Sequence, residues 1–343
     1  MIYRRVQDIV LDDVFLDLPG FLPQGQLLLK LEGLNPAGSI KLKTAVGLVR
    51  ELETSGRLGP GRRLIESTSG NLGIALAVVC AQQGYPLTLV TDPNVSRQAR
   101  LAMLALGADV VTVTRRDANG GFLQTRIDYI RQRTARDPDL VWVNQYANPA
   151  NAAAHRERTA EQLYKVVGSP DALVVGVGTS GTLMGCLEFF TEHSPHTRII
   201  AADSEGSVTF GGPAAARRIP GLGTSRRPEI FRDTGSFEKV VVAEADTVRM
   251  CRRIAREYGL LVGGSTGTAL AAAERTADPS AGAGRTVVIS PDLGDKYLDT
   301  VYADSWVAQA FTPALLAPAA VPTPHPVPAP ATILAGTPTP NRS

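Results

Sequence analysis

Residues 35–41 read NPAGSIK, and this stretch joins a strand pattern at 26–32 to a helical pattern at 43–56. Asn-Pro and glycine favour a tight turn, which places Lys41 at the start of the helix. The positive end of a helix dipole disfavours a protonated amine, so Lys41 is a candidate for a reactive lysine with a lowered pKa. On this stretch alone, a solvated surface lysine remains the alternative interpretation.

Strand and helix patterns alternate along the rest of the chain. Strand patterns at 64–67, 87–91 and 109–113 are separated by helical stretches, and the same order continues from 141 to 292. Such alternation predicts βαβ units, mostly parallel sheets and the α/β class. With 343 residues, the chain is long enough for two domains that share one cleft.

The composition narrows the class of protein. The net charge of +2 gives no reason to expect a nucleic-acid partner or attraction to a membrane surface. No apolar stretch approaches the length of a transmembrane helix and the first residues lack a signal-peptide core, so a cytoplasmic protein is expected. The three cysteines are far apart, which predicts buried thiols and no metal site. A reactive lysine has few candidates, namely Lys30, Lys41, Lys43, Lys165, Lys239 and Lys296.

The last segment, residues 312–343, differs from the rest. It contains nine prolines, and its single formal charge is Arg342. Such a composition does not support a packed core, so an extended, disordered tail is expected. A binding segment for a domain that recognises proline-rich chains is the alternative interpretation.

A second polar stretch, ESTSGNLG at 66–73, again joins a strand pattern to a helical one. Its hydroxyl, amide and backbone N–H groups converge at a helix N-terminus, which suits an anion such as an amino-acid carboxylate. A plain helix cap needs only one serine or threonine, so this stretch exceeds what capping requires.

Two glycine-rich stretches also open helices. GVGTSGT at 176–182 follows an apolar strand pattern, and its glycines and hydroxyls suit a phosphate group. It is not a convincing dinucleotide loop, because no acidic residue is well placed to bind a ribose, and it lacks the lysine of a Walker loop. GGSTG at 263–267 places the hydroxyl of Ser265 where it could face a ring nitrogen, although a helix cap explains it better when it is taken alone.

Together the four stretches resemble, in order and spacing, the fold-type II pyridoxal-phosphate (PLP) enzymes, the superfamily of cysteine synthase and cystathionine β-synthase. The resemblance implies two open, twisted α/β domains with mostly parallel sheets and the active site between them. We expect a large PLP-binding domain formed by 1–45 and 150–311, and a small mobile domain formed by 46–149. The resemblance also implies a homodimer.

The resemblance assigns roles to individual residues. Lys41 is expected to carry PLP as a Schiff base and to act as the acid and base at Cα of the substrate. Ser265 is expected to meet the pyridine nitrogen, and a neutral partner there favours elimination. The substrate carboxylate is expected to contact Thr68, Ser69, Asn71 and Gln145, with Asn71 also near the 3′-oxygen of PLP. The PLP phosphate is expected to contact Gly178, Thr179, Ser180, Gly181 and Thr182.

Further stretches, among them NQYANPAN at 144–151 and DLGDKYLDTVYADSW at 292–306, resemble one branch of that superfamily. Its members join O-phospho-L-serine to L-glutamate and release phosphate, in the 2,3-diaminopropionate pathway of siderophore and peptide-antibiotic assembly. A partner oxidoreductase acts on their product. Two amino-acid substrates with several carboxylates suit bidentate arginine. The candidates for this contact are Arg126, Tyr146, Arg226 and Arg227, and each arginine is equally well explained as a solvated surface residue.

One departure and three alternatives remain at this point. The family commonly has Asp-Arg after the lysine, whereas this chain has Leu42-Lys43, which puts the neighbouring ion pairs in doubt.

A cysteine synthase or O-phosphoserine sulfhydrylase would use the same residues with sulfide as the nucleophile. From other classes, a nucleotide-binding oxidoreductase is supported only by 176–181, and an inactive, PLP-free binding protein is the third alternative.

Overall fold

The computed structural model describes residues 2–68, 70–118, 120–278 and 284–311. Its strands are β1 (Phe15–Asp17), β2 (Gln26–Leu31), β3 (Arg63–Ser67), β4 (Leu87–Thr91), β5 (Asp109–Thr112), β6 (Leu140–Trp142), β7 (Ala172–Gly176), β8 (Arg198–Ser204), β9 (Glu238–Val242) and β10 (Arg285–Ser290). Its α-helices are α1 (Lys41–Thr54), α2 (Asn71–Gln83), α3 (Arg97–Ala105), α4 (Leu123–Arg136), α5 (Ala150–His155), α6 (Glu161–Val167), α7 (Gly181–His193), α8 (Glu244–Tyr258), α9 (Gly264–Thr276) and α10 (Asp304–Ala310).

The larger sheet contains six strands in the order β1-β2-β10-β7-β8-β9. Strand β1 is antiparallel to β2, and the other neighbours are parallel. Successive side chains of β7 point to opposite faces, so Val174 packs in the core with α8 and α9, and Leu173 packs with α7. Helices therefore cover both faces, as a parallel sheet requires. Each such buried side chain stabilises the fold by roughly 1.5–3 kcal/mol.

The smaller sheet contains four parallel strands in the order β5-β4-β3-β6. On one face Leu64 and Leu89 pack against Leu76 of α2, and on the other Ile65 packs against Ile130 of α4. All four strands lie within the predicted small domain, residues 46–149. That this segment moves as a unit stays a prediction.

Several smaller predictions can now be followed up. The parallel α/β class is confirmed, and the cysteines Cys80, Cys186 and Cys251 are buried and unpaired, as predicted. The proline-rich segment 312–343 lies outside the described residues. In the described part of the chain, none of the helices has the length and apolar character needed to cross a membrane.

The helical region from Ala150 to Val167 is interrupted. A π-helical segment, Arg156–Ala160, separates α5 from α6. Wide turns of this kind are rare and are often found at functional sites. The interruption follows His155, which is fully buried against α1 and α7.

Lys43 forms the ion pairs that the unusual Leu42-Lys43 sequence had put in doubt. Its Nζ lies 2.5 Å from Asp12 Oδ1 and 2.7 Å from Glu32 Oε2, and the Nζ of Lys30 lies 2.9 Å from Glu32 Oε1. Burial alone would raise the pKa of Glu32, but Lys43 and Lys30 hold it below its ordinary value. Leu42 is fully buried in the apolar core of the smaller sheet. Lys43 therefore belongs to a buried ion network only two residues after Lys41.

Candidate active site

Lys41 is the first residue of α1 and follows the tight turn that the sequence predicts. Asn35 stabilises this turn, because its Nδ2 donates hydrogen bonds to the carbonyl oxygens of Glu32 and Ser39, both at 2.9 Å. Gly38 has a φ of +63°, a left-handed conformation that favours glycine. The turn is thus fixed by its own sequence and sets the position of the lysine.

The surroundings of Lys41 favour its neutral form. Burial lowers the pKa of the amine to about 8, and the nearby charge of Asp292 opposes the shift only in part. The position of Lys41 at a helix start predicted a pKa lowered by the helix dipole, whereas burial is the larger cause in the structure. A neutral amine is the form that attacks a carbonyl or takes a proton.

Thr68 and Asn71 stand at the carboxyl end of β3 and the start of α2. Thr68 Oγ1 accepts hydrogen bonds from the N–H groups of Gly70 at 3.2 Å and Gly73 at 3.0 Å, so this hydroxyl caps α2. The capping interpretation therefore applies to Thr68, and its contact with a substrate carboxylate stays a prediction. Ser69 lies outside the described residues.

Gln145 lies beside the 66–73 stretch, as its predicted role requires. Its side-chain Nε2 donates a hydrogen bond to the backbone carbonyl of Ser67 at 3.0 Å. Its backbone carbonyl accepts one from Asn151 Nδ2 at 2.8 Å. The preceding Asn144 has a φ of +56°, which residues other than glycine rarely adopt. Gln145 thus contacts the 66–73 stretch, and both are predicted to bind the carboxylate of the substrate.

The 176–182 stretch forms the loop between β7 and α7. Ser180 has a φ of +69°, and its buried Oγ has no hydrogen-bond partner within the described residues. Thr179 Oγ1 accepts a hydrogen bond from Asn151 Nδ2 at 3.1 Å. A Cβ atom at Gly181 would overlap the side chain of Asn151, so glycine permits this close approach. A strained backbone beside an unpaired hydroxyl is typical of a binding loop.

Thr182, in the first turn of α7, is held by a histidine that the sequence analysis missed. His155 Nε2 lies 3.4 Å from Thr182 Oγ1 and 2.8 Å from Thr44 Oγ1, while its Nδ1 lies 3.1 Å from Thr159 Oγ1. Burial, followed by the charge of Lys41, holds the pKa of His155 well below its ordinary value. A neutral imidazole therefore links the helix that begins at Lys41 to the predicted phosphate loop.

Gly178 and Ser265 lie on either side of Gly221. A Cβ added at Gly178 would lie 3.3 Å from the Gly221 carbonyl oxygen, and one added at Gly221 would lie 3.9 Å from Ser265 Cβ. Ser265 is buried in the first turn of α9. The predicted phosphate loop and the predicted partner of the ring nitrogen are therefore neighbours.

Three residues that follow β10 also reach this region, and the sequence analysis assigned them no role. Asn71 Nδ2 donates a hydrogen bond to Asp292 Oδ2 at 2.8 Å, and Lys296 Nζ donates one to Asn71 Oδ1 at 2.9 Å. Tyr297 donates its hydroxyl proton to Asp292 Oδ2 at 2.7 Å. The available signal was their position, since polar residues directly after a parallel strand lie at the ligand-binding edge of such sheets.

Arg126, in α4, carries a buried guanidinium group. Its Nε lies 3.4 Å from Asp92 Oδ2, and neither Nε nor Nη1 has a hydrogen-bond partner in the described part of the chain. Burial raises the pKa of the neighbouring Glu66 to about 8, although backbone N–H groups and the charge of Arg126 oppose the shift. Buried N–H groups without partners are costly, so this guanidinium suits an anionic ligand.

Tyr146 lies within the electrostatic range of three arginines. Burial raises the pKa of its hydroxyl, and the positive charges of Arg126, Arg217 and Arg226 oppose the shift. Arg217 was not among the candidates, because nothing in its local sequence separates it from the many other arginines. The charges of Arg126, Arg217 and Arg226 therefore all act on the hydroxyl of Tyr146.

The two adjacent candidates Arg226 and Arg227 differ in their surroundings. Arg226 is half-buried and forms an ion pair with Glu229. Arg227 is exposed and stacks over the ring of Phe231, with 4.9 Å between the guanidinium carbon and the ring centroid. The surface interpretation therefore holds for Arg227.

The residues of this region fit PLP. Ser180 offers an unpaired buried hydroxyl at the start of α7, a 13-residue helix whose N-terminal N–H groups suit a phosphate. Lys41 offers an amine with a lowered pKa. Ser265 offers a neutral hydroxyl next to the same loop.

Known proteins similar to this chain agree with that fit. The family described as pyridoxal-phosphate dependent enzyme matches residues 15–292. Two relatives named N-(2-amino-2-carboxyethyl)-L-glutamate synthase come from Ralstonia nicotianae and Cupriavidus metallidurans. They are 39% and 40% identical to this chain over 287 and 288 residues. The match covers 83% of this chain in both cases, and 85% and 84% of the relatives.

Solved structures show the same fold. A cysteine synthase from Entamoeba histolytica superposes with a TM-score of 0.82 at 30% identity, covering 88% of this chain and 91% of that one. An O-ureido-L-serine synthase superposes with a TM-score of 0.81 at 29% identity, covering 90% of this chain and 100% of that one. On the family match, the relatives and the site geometry, the chain belongs to the pyridoxal-phosphate dependent enzymes.

Proposed function

We propose that this protein joins O-phospho-L-serine to L-glutamate, forming N-(2-amino-2-carboxyethyl)-L-glutamate and releasing phosphate. The two relatives that carry this name are 39% and 40% identical over most of the chain. The observation that carries the proposal is the buried guanidinium of Arg126, whose Nε and Nη1 have no hydrogen-bond partner among the described residues and whose charge acts on Tyr146. Two anionic amino acids require such a group. The product would be an intermediate on the way to L-2,3-diaminopropionate.

Lys41 moves the proton in this reaction. Bound PLP supplies the electron withdrawal that acidifies the Cα proton of an amino acid and lets its β-substituent leave. With a pKa of about 8, the Lys41 amine takes the proton from Cα of phosphoserine, and it returns one after the glutamate nitrogen has bonded to Cβ. The Cβ–O bond breaks, a Cβ–N bond forms, and the proton lost by the glutamate amine leaves with phosphate.

The loops hold the reacting groups in place. We assign the substrate carboxylate to the stretch that begins α2 and to Gln145, whose amide is fixed by its bond to Ser67. We assign the PLP phosphate to the loop that begins α7, where the unpaired hydroxyl of Ser180 is located. The neutral His155 orients Thr182 in that loop.

The cation cluster formed by Arg126, Arg217 and Arg226 around Tyr146 takes the remaining anionic groups of the substrates. Arg126 has the strongest case, because it is buried and two of its nitrogens lack hydrogen-bond partners in the described part of the chain. Arg126 and Arg226 each have a carboxylate neighbour, but Arg226 is only half-buried and donates a hydrogen bond to Glu229, which makes it the weaker candidate. Phosphate and carboxylate are both suitable ligands for a guanidinium group.

The competing function is a sulfhydrylase that uses sulfide as the nucleophile. The cysteine synthase of Entamoeba histolytica shares the fold, so the fold does not separate the two functions. Phosphate release from phosphoserine separates them when it is measured with glutamate and with sulfide in parallel. We expect turnover that depends on glutamate. A condensation product with sulfide alone contradicts the proposal.

Replacing Arg126 by methionine tests the cation cluster. A hydrogen bond to a charged group is worth about 1.5–3 kcal/mol, so we expect the KM of one anionic substrate to rise roughly 10- to 100-fold. The substrate whose KM rises, glutamate or phosphoserine, identifies the anion that Arg126 binds. The matched control is Arg133→Met on the exposed face of the same helix. Unchanged KM values for both substrates in Arg126→Met would show that this arginine binds neither.

The assembly and the pathway partner are also part of the proposal. We propose a cytoplasmic homodimer whose residues 46–149 close over the substrates, and a separate oxidoreductase that consumes the product. The support is the resemblance to fold-type II PLP enzymes and the smaller sheet that residues 46–149 contain. Sedimentation equilibrium of the purified protein tests the dimer directly, and a monomer at all concentrations contradicts it.

A further inference from the structure

We propose that Asp292 and Lys296 form a positioning pair that fixes the orientation of the Asn71 amide. This inference rests on the proposed function, in which Asn71 contacts the carboxylate of the amino-acid substrate. Asn71 Nδ2 donates to Asp292 Oδ2 at 2.8 Å, and Lys296 Nζ donates to Asn71 Oδ1 at 2.9 Å. Both ends of one amide are thus held by opposite charges.

The two charges specify one amide orientation. The oxygen and nitrogen ends of an asparagine side chain have nearly the same shape, so shape alone does not determine which way the amide faces. In the observed orientation, an anion accepts from the nitrogen and a cation donates to the oxygen, which makes both hydrogen bonds charge-assisted. A flipped Asn71 would place its oxygen against Asp292 and its N–H groups against Lys296. Both contacts would then be repulsive.

The pair is itself anchored by a neighbouring tyrosine and by the turn that precedes Lys41. Tyr297 donates its hydroxyl proton to Asp292 Oδ2 at 2.7 Å. Lys296 Nζ also donates to the carbonyl oxygens of Ala37 at 3.3 Å and Gly38 at 2.8 Å. These contacts do not involve the amide of Asn71, so they hold the pair in place independently of the side chain that it orients.

The fixed orientation has a chemical consequence for the substrate. A primary amide nitrogen has two N–H groups, and Asp292 accepts a hydrogen bond from the Asn71 nitrogen. The amide nitrogen is thus the end held towards Asp292, and the hydroxyl of Tyr297 also interacts with the Asn71 side chain. A substrate carboxylate needs a donor such as this nitrogen, whereas the amide oxygen would repel it. Asn71 starts α2 on the smaller sheet and the pair follows β10 of the larger sheet. Two residues that follow the larger sheet therefore fix the orientation of Asn71, which follows the smaller sheet and is proposed to contact the substrate.

A double-mutant cycle separates positioning from a merely structural role. The readout is the Kd of O-phospho-L-serine and of L-serine, measured from the absorbance change of PLP bound to the purified protein, together with the PLP content. Lys296→Met is expected to raise the Kd about tenfold at full PLP content. In an Asn71→Ala background, the same change is expected to have no further effect. Lys296→Arg retains the cation and should stay within about threefold of the wild type.

Lys165→Met is the matched control, because Lys165 forms an exposed ion pair with Glu161 far from the site. The proposal is overturned if Lys296→Met leaves the Kd unchanged, or raises it equally in both backgrounds. It is likewise overturned if only the PLP content falls, which would indicate a structural role. A wild type that binds these amino acids but forms no product with glutamate contradicts the proposed function alone. A wild type that responds to neither amino acid overturns both.

Discussion

At the scale of single residues, the surrounding protein determines both the position of Lys41 and the pKa of its amine. The turn before it is fixed by Asn35, and burial lowers the pKa of its amine to about 8 against the opposing charge of Asp292. An ordinary lysine has a pKa of about 10.4 and is almost entirely protonated at neutral pH. The lowered value makes roughly one amine in ten neutral at pH 7 in the protein without its cofactor.

The capture of PLP by the apo-protein should therefore depend on pH in a particular range. Only the neutral amine reacts, so the capture rate should rise about tenfold per pH unit below pH 8 and level off above it. Stopped-flow absorbance measures the rate, and Nα-acetyl-lysine in the same buffers corrects for the ionisation of PLP itself. A rate that continues to rise to pH 10 would show that burial does not lower the pKa of Lys41.

Removing the amine should abolish the activity. Lys41→Ala is expected to lose both the covalently held cofactor and all measurable turnover, because no other described lysine occupies its position at the start of α1. Absorbance after borohydride reduction and a phosphate-release assay measure the two effects. Lys239→Ala, which removes an exposed ion pair with Asp233, serves as the control. Full activity in Lys41→Ala would refute the role of this lysine.

The site residues that the sequence predicted are those that stand in a local motif. Lys41, Ser180 and Ser265 each stand in a turn that opens a helix, which is a pattern of a few residues. Asp292 and His155 were missed because their partners are far away in sequence, although the position of Asp292 directly after a parallel strand was an available signal. The Asp292–Asn71 contact joins positions 221 residues apart.

At the scale of elements, the start of α7 combines a left-handed Ser180, an unpaired hydroxyl and a glycine that contacts Asn151. Sequence patterns predicted this loop, since glycine and hydroxyl residues after an apolar strand are a local signal. They did not predict the π-helical segment Arg156–Ala160, because its cause lies in packing between helices. The same holds for β1, a three-residue strand that is stabilised by its pairing with β2.

Gly181→Ala tests the close approach of α7 to Asn151. The added methyl group would overlap a side chain that is bound to both Gln145 and Thr179, so those hydrogen bonds must break. Overpacking of this kind costs about 1–3 kcal/mol, and we expect a matching weakening of PLP affinity by roughly 5- to 100-fold. Fluorescence titration of the apo-protein measures it. Gly59→Ala, where the added methyl group contacts nothing, should bind like the wild type, and an equal affinity in Gly181→Ala would contradict the account.

The buried ion network of α1 makes a separate prediction about stability. Lys43→Met removes one of two cations from Glu32 and leaves Asp12 without this partner. Breaking a buried pair costs about 3–5 kcal/mol, and we expect the lower end because Lys30 still pairs with Glu32. Urea unfolding of the apo-protein gives the free energy. Lys165→Met, in an exposed pair, should cost less than about 1 kcal/mol, and a similarly small cost at Lys43 would refute the network's contribution.

At the scale of the whole molecule, the parallel strands of the two sheets end close to the same group of residues. Asn71 and Gln145 come from the smaller sheet, and Ser180, Ser265 and Asp292 come from the larger one. The alternation of strands and helices predicted parallel sheets from sequence, because that pattern is local. Which strands share a sheet, and that β10 lies beside β2, depended on long-range packing that no local pattern encodes.

The identity of the condensation product tests the central claim most directly. Purified protein with bound PLP is incubated with O-phospho-L-serine and ¹⁵N-labelled L-glutamate, and the product is analysed by mass spectrometry alongside the released phosphate. The account predicts one product, N-(2-amino-2-carboxyethyl)-L-glutamate, which carries the label once and appears in equal amount to phosphate. Phosphate release without a labelled product, or a condensation product formed only when sulfide replaces glutamate, would contradict it.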